Sequence, residues 1–380
     1  MSQNIKRLLN IDTRNSSFLW GARKTGKSYW INHNFKPEEI ILIDLLQTNV
    51  FAEYASRPSL LRERFQNTQK IIVIDEIQKV PTLLDEVHWM IENKKVTFLL
   101  TGSSARKLRR NHANLLAGRA LRYQLLPFSC MEVGNINLEE IMVSGMLPPH
   151  FLSEKPLDLL RSYVADYLKE EIAQEAQIQR IPQFSEFLRI AALTSGELLN
   201  YNNVARETSV SSKIVRPYFD ILESTMLGFR VASWKSSKTR RLIITEKFYL
   251  FDVGIGNYLS RRQPREGTPE FGKSFEHFIL MELSAYKAYR NPELDITYWR
   301  TSTGYEVDFI LGEKQVALEI KSGRMVHDID LRSLKTLQED GKVKHLLVIS
   351  QEKYPRDMGN IKIIPWKIFL DMLWAGEFDI

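Results

Sequence analysis

The sequence predicts an α/β protein built in three parts, and three residue patterns predict it. GARKTGKS (Gly21–Ser28) follows an apolar run and opens a helix-compatible stretch, KIIVIDEIQK (Lys70–Lys79) ends an apolar strand in two acids, and Asp308, Glu319 and Lys321 fall on successive strand-like runs near the end of the chain. A strand that is apolar throughout suits a parallel sheet covered on both faces, whose ligands sit at the carboxyl edge. Between the first and last patterns lies a helix-turn-helix followed by two extended runs.

The 380 residues suit two to four domains at roughly 100–200 residues each. With 44% hydrophobic and 26% charged residues, collagen-like and low-complexity classes are excluded. The single cysteine, Cys130, excludes an intramolecular disulfide framework; it fits a reducing compartment and reads as buried filler. No apolar run approaches the roughly 18 residues of a membrane span, and the N-terminal residues lack a signal-peptide core. The expectation is a cytoplasmic protein with no membrane partner. The net charge of +6 is unevenly placed: residues 1–130 hold 20 basic against 11 acidic side chains (+9), and residues 206–247 hold 9 against 4 (+5). Residues 131–205 hold 5 against 11 (−6), so two basic islands sit in otherwise acidic or neutral chain.

The first island contains a phosphate-binding loop. Gly21, Ala22, Arg23, Lys24, Thr25, Gly26, Lys27 and Ser28 have the G-x-x-x-x-G-K-S spacing, after Phe18–Trp20 and before a helix. Its glycines let backbone N–H groups curl around a β-phosphate at a helix N-terminus. Lys27 is placed for the β- and γ-phosphates, and the Ser28 hydroxyl for Mg²⁺. The loop needs an acidic partner, and Ile71–Ile74 supply it by ending in Asp75 and Glu76. Asp75 is expected to hold Mg²⁺ through water, and Glu76 to polarise the attacking water; the alternative is a solvated acid pair after a core strand. Ile40–Leu45 reads as another strand. Val96–Leu100 runs into Thr101, Gly102, Ser103 and Ser104, so Thr101 or Ser103 is a candidate γ-phosphate sensor, against a plain Gly-Ser turn. Downstream, Arg106, Lys107, Arg109, Arg110 and the LLAGR segment ending in Arg119 form a basic cluster. Arg119 is the favoured arginine for a neighbour's γ-phosphate, which implies a homo-oligomer through this domain; a solvated basic face or a phosphate-backbone contact is the alternative.

In order across residues 16–132, GARKTGKS, IDEIQKVP, LLTGSSA, LLAGR and LLPFSCME resemble a family of bacterial and archaeal AAA+-type P-loop ATPases. The resemblance implies a parallel-sheet ATPase domain, then a winged helix, then a C-terminal domain, formerly of unknown function, of the PD-(D/E)xK nuclease-like fold. It thus implies ATP as ligand. The domains are expected at 1–132 (ATPase), 133–183 (helical linker or lid), 184–262 (winged helix) and 263–380 (nuclease-like).

The residues after 180 support that order. Phe184–Leu193 and Asn202–Glu207 read as helices, Ser209 and Val210 as a turn, and Ser211–Ser212 can cap a third helix through Ser224. Gly228–Lys235 and Arg241–Phe251 then read as a wing. Lys213, Arg216, Lys235, Lys238, Arg240 and Arg241 lie where contacts to DNA phosphates belong. Pro217, inside the third helix, is expected to kink or shorten it, and a protein-docking module is the competing reading.

From Glu270 the order is helix, three strands, helix, strand. Period-two geometry sets Glu319 and Lys321 on one face. Asp308 and Glu319, with Glu276 from the preceding helix, offer hard oxygens to Mg²⁺ or Mn²⁺, and Lys321 would orient water or stabilise developing charge. Glu276, Asp308, Glu319 and Lys321 also match the implied nuclease-like motif at each position. His277 and His327 lack metal-ligand spacing and read as surface residues. Two functions follow: an ATP-driven or ATP-gated nuclease acting on nucleic acid, DNA foremost, or a nucleotide switch whose later domains hold nucleic acid or a partner without cleavage.

Overall fold

The apolar runs of the first third become five parallel strands. The computed structural model describes residues 5–104, 116–172, 178, 180–234, 241–341 and 343–380. Arg106, Lys107, Arg109, Arg110 and Leu115 of the first basic cluster, and Lys235, Lys238 and Arg240 of the wing, lie outside the described residues. The chain divides into two compact units, one reaching to Phe128 and including Asp220–Leu227, the other made of Ser129–Phe219 and Gly228–Ile380.

In the first unit, β1 (Ser17–Trp20), β2 (Ile40–Asp44), β3 (Ile71–Asp75), β4 (Phe98–Gly102) and β5 (Leu121–Gln124) take the order β2-β3-β4-β1-β5. Every pairing is parallel. Ile72, Val73 and Ile74 are fully buried, because helices cover both faces of such a sheet. The order sets β4 between the strand that leads into the glycine-rich loop and the strand that ends in Asp75. Three different strands therefore deliver side chains to one stretch of carboxyl edge. Helix α1 (Lys27–Asn34) starts from that edge behind Gly26, whose φ of 95° lies in the left-handed region that glycine tolerates. Helix α2 (Leu83–Lys94) follows β3 and buries Leu83, Leu84, Val87 and Met90.

The second unit begins with short helices, among them Leu138–Ser144 and Pro156–Ser162, followed by a π-helical stretch over Tyr163–Glu171. The region expected to hold a helix-turn-helix contains three helices, α3 (Ile181–Leu193), α4 (Tyr201–Thr208) and α5 (Ser212–Ser224). Helix α5 runs unbroken across Pro217, so the expected shortening does not occur. Strands β6 (Gly228–Ser233) and β7 (Lys247–Leu250) form an antiparallel hairpin. The hairpin is not free-standing. The end of β6 pairs with β8 (Ile296–Arg300), which joins it to a sheet ordered β12-β13-β11-β10-β9-β8-β6-β7. The expected boundary at residue 262 thus falls between strands of one sheet. The other members are β9 (Glu306–Leu311), β10 (Val316–Ile320), β11 (His345–Ser350), β12 (Arg356–Met358) and β13 (Ile361–Pro365). Helices α6 (Pro269–Tyr289) and α7 (Trp366–Ala375) flank it. Among the described residues, no helix is long and apolar enough to cross a membrane.

Helix α6 buries twelve residues, one of them the carboxylate of Glu282. Glu282 Oε1 accepts the Cys130 N–H at 2.9 Å, and Oε2 is buried without a hydrogen bond. Burial pushes this carboxyl up to about 7 from its ordinary 4.5, and burial beside Glu282 also pushes the Cys130 thiol up, which suits an inert core cysteine. Because the folded carboxyl holds a proton that the unfolded one has released, its contribution is most favourable below pH 4.5 and is lost as pH rises through 7. The loss amounts to up to about 3 kcal/mol. Glu282→Gln should remove this slope, so its urea midpoint relative to wild type should be higher at pH 8 than at pH 5. An equal difference at both pH values would contradict the assignment.

Candidate functional sites

At the carboxyl edge of the first sheet, the strand register brings the expected residues together. Asp75 ends β3, Thr101 stands on β4 level with Leu19 of β1, and the glycine-rich loop starts directly after Trp20. Ser28 Oγ donates to Asp75 Oδ2 at 3.0 Å, and Thr101 Oγ1 donates a short hydrogen bond to Asp75 Oδ1. The same Thr101 oxygen accepts the Glu76 N–H at 3.3 Å. One hydroxyl therefore fixes both acids. Ser28 and Asp75 offer hard oxygens side by side, a donor set that suits Mg²⁺ carried with a nucleotide.

Glu76 has φ 60° and ψ 47°, a left-handed conformation that is costly for a side-chain-bearing residue and concentrates at functional sites. The turn redirects its carboxylate, which Gln78 Nε2 and Ser103 Oγ both hold. Gln78 also donates to Ser103 at 3.2 Å. Thr101 thus fixes the Glu76 backbone and Asp75, and Ser103 fixes the Glu76 side chain.

Lys27 points into the loop, with Nζ 2.8 Å from Gly21 O and 3.3 Å from Ala22 O. Burial lowers its pKa, and the nearby Glu76 and Asp75 carboxylates oppose that shift. A side chain at Gly21 would put Cβ 2.5 Å from Leu125 O and 2.8 Å from Thr25 Oγ1, so only glycine fits there. The Thr25 hydroxyl donates to Ala22 O at 2.8 Å. From outside the motif, the buried Arg7 donates to Thr25 O at 2.7 Å and Leu126 O at 2.6 Å, tying the loop to the end of β5. Sequence reasoning missed both Arg7 and Gln78. Gln78 lies two residues beyond Glu76, where a polar residue in an apolar turn was the available signal; Arg7 had none.

Arg119 is not at this edge. It lies just before β5, at the opposite end of the strands, in an ion pair with Glu92 near the C-terminal end of α2. It cannot serve the site on its own chain, and any role in hydrolysis has to be in trans.

In the second unit, Asp308 and Glu319 come together. Leu318 pairs with Phe309 across β10 and β9, and Glu319 and Asp308 are the next residues along those strands. Asp308 Oδ2 accepts the Ile320 N–H at 2.7 Å. Glu319 Oε1 takes the Lys321 ammonium at 2.7 Å, while Oε2 is buried without a hydrogen bond. Glu319 is the one acid in a strand whose five residues are all buried. Burial raises its carboxyl to about 7, against the pull of Lys321. Burial raises Asp308 well above the usual carboxylate range, with the negative charges of Glu319 and Glu276 adding to it. Such a pair binds a proton or a cation readily.

Glu276 is near these acids but otherwise engaged. Its Oε1 accepts the Tyr249 hydroxyl at 2.5 Å and lies 3.4 Å from Lys247 Nζ. Among the described residues, no three His, Cys, Asp or Glu side chains are grouped to hold a metal. The expected three-carboxylate shell is thus an acid pair plus a glutamate held by β7. Lys247, counted in the second basic island, is 2% exposed and also pairs with Glu306 at 2.5 Å, so it is not a surface contact for DNA. Three carboxylates close to its ammonium outweigh burial and raise its pKa. Lys247 lines a cleft of about 410 Å³ beside Glu276, Arg300 and Glu306. Lys213, Arg216 and Arg241 are exposed as expected. His277 corrects another expectation: it is 6% exposed, with Nε2 2.6 Å from Leu250 O. Burial lowers it to about 4, so it is a neutral core imidazole donating to that carbonyl. His327 is exposed.

Residues 13–134 match the family described as AAA domain. Residues 135–266 and 271–369 match two families, each described as a domain of unknown function (DUF8612 and DUF4143). An uncharacterized protein of Methanocaldococcus jannaschii is 22% identical over 92% of this chain and 87% of its own length. An uncharacterized protein of Haemophilus influenzae is 21% identical over 93% of each chain. The first part of the chain is therefore similar to an AAA domain, and its site geometry suits nucleotide binding.

Thr101→Val keeps the shape but removes the hydroxyl that joins Asp75 to Glu76. ATP turnover should fall about 10- to 100-fold with little change in KM, as expected when a positioning contact is lost. A raised KM with unchanged kcat would show that Thr101 serves binding instead.

Proposed function

We propose that this chain is a cytoplasmic ATPase whose nucleotide state controls metal-dependent hydrolysis of nucleic-acid phosphodiesters, DNA foremost, at Asp308, Glu319 and Lys321. The hydrogen-bonded chain Ser28–Asp75–Thr101–Glu76 carries the ATPase half of this reading. The loop N–H groups and Lys27 bind the phosphates of ATP. Ser28 and Asp75 hold its Mg²⁺, and Glu76 accepts a proton from the attacking water while Ser103 and Gln78 hold its carboxylate. Arg119 would complete a neighbour's site in a homo-oligomer.

The carboxylate pair carries the second half. Asp308 and Glu319 would hold Mg²⁺ or Mn²⁺, which lowers the pKa of bound water and neutralises phosphate charge. Lys321 keeps Glu319 in place and presents positive charge to the same spot. Exposed Lys213, Arg216 and Arg241 supply contacts to the nucleic-acid backbone. A switch or scaffold without cleavage is the second reading; the engagement of Glu276 by Tyr249 and Lys247 and of Glu319 by Lys321 favours it.

Lys27→Ala should abolish ATP binding and turnover, while Glu76→Gln should keep binding and lose turnover at least 100-fold. Unchanged phosphate release in both would overturn the ATPase assignment. Linear, circular and single-stranded DNA, and RNA, should be incubated with Mg²⁺ or Mn²⁺, with and without ATP. Cleavage that Asp308→Ala abolishes supports the first reading, and cleavage equally fast in Asp308→Ala removes this site from the reaction.

A further inference from the structure

A second cleft, of about 800 Å³, opens at the carboxyl edge of β10, β11 and β13, three residues beyond Lys321. Its walls are the segment after β10, the segment after β11 and the start of α7. The first two are laced together: Gln351 Nε2 donates to Ser322 O at 2.6 Å, and the Val326 N–H donates to Glu352 Oε1 at 2.7 Å. The cleft is thus built onto the strand that bears Glu319.

Its charge stands out from its surroundings. Residues 271–380 hold 15 basic against 17 acidic side chains, yet four cations line the cleft: Arg324, paired with Glu266, Arg356, paired with Glu352, and Lys353 and Lys367. Tyr354 is 78% exposed and Met325 68% exposed, large apolar side chains set among those cations. Cations that follow a phosphate backbone, with an aromatic face between them, are the elements of a single-strand site. A duplex keeps its base faces inside the stack and would leave Tyr354 without a partner.

We propose that this cleft is a track for single-stranded nucleic acid leading to the Asp308–Glu319–Lys321 site, an assignment that rests on the phosphodiesterase reading. Lys353 and Lys367 bind phosphates, and one base stacks on Tyr354.

The test uses the full chain carrying Asp308→Asn, which leaves strands intact, and fluorescence anisotropy with labelled oligothymidylate, a duplex of equal length and an acidic peptide. Adding Tyr354→Ala should weaken oligothymidylate binding about tenfold or more. Lys353→Glu should weaken it as well and flatten its dependence on salt. Both residues are exposed, so neither change should move the thermal midpoint. Unchanged affinity in both variants, tighter binding of duplex or peptide, or no binding of the single strand overturns the proposal. Failure of the underlying reading looks different. If wild-type protein cleaves no strand with either metal while Tyr354→Ala and Lys353→Glu lose binding, the cleft assignment stands and the phosphodiesterase reading falls.

Discussion

The hydrogen bonds from Ser28 and Thr101 to the two oxygens of Asp75 are the constraint on which the nucleotide site depends. They join the helix after the glycine-rich loop, the strand that ends in two acids and the strand between them. An isolated acid at the end of β3 would be free to rotate, and Glu76, in its left-handed turn, would lack the N–H contact to Thr101. The buried strands set the side chains at one level, since Leu19 of β1 pairs with Thr101 of β4. Packing of the core and placement of the chemistry are therefore one feature of the sheet.

The second unit solves a different electrostatic problem. Two adjacent buried carboxylates repel each other, and the fold answers with Lys321 on Glu319, a backbone N–H on Asp308, and Lys247 and Tyr249 on Glu276. Lys247 comes from the hairpin that sequence reasoning assigned to a separate winged helix. Because β6 pairs with β8, that hairpin is an edge of the same sheet and supplies the cation nearest Glu276. Burial without full compensation raises the pKa of both Asp308 and Glu319, and a cation would relieve it.

Much of this was legible in short windows. G-x-x-x-x-G-K-S and the run ending in Asp75–Glu76 carry their geometry in consecutive residues, so the loop, the acids and the strand before Thr101 were readable. Glu319 and Lys321 share a strand face by simple alternation. What sequence did not disclose depends on distant pairings. Arg7 reaches Thr25 and Leu126 only once the sheet has formed. Lys247 meets Glu276 across 29 residues, and nothing local separates it from its exposed basic neighbours. His277 was misread because α6 is packed on most of its circumference, so helical periodicity leaves no dependable solvent face. Pro217 was weighed as a helix breaker, yet α5 runs through it. The net negative charge of residues 271–380 hid a local basic cleft.

The most direct test of the account is calorimetric titration of ATP, with and without Mg²⁺, into wild-type protein and Asp75→Asn. If Asp75, fixed by Ser28 and Thr101, holds the metal, Mg²⁺ should strengthen ATP binding to wild type and have almost no effect on Asp75→Asn, whose Mg²⁺-free affinity should remain near that of wild type. The same gain from Mg²⁺ in both proteins would contradict the account.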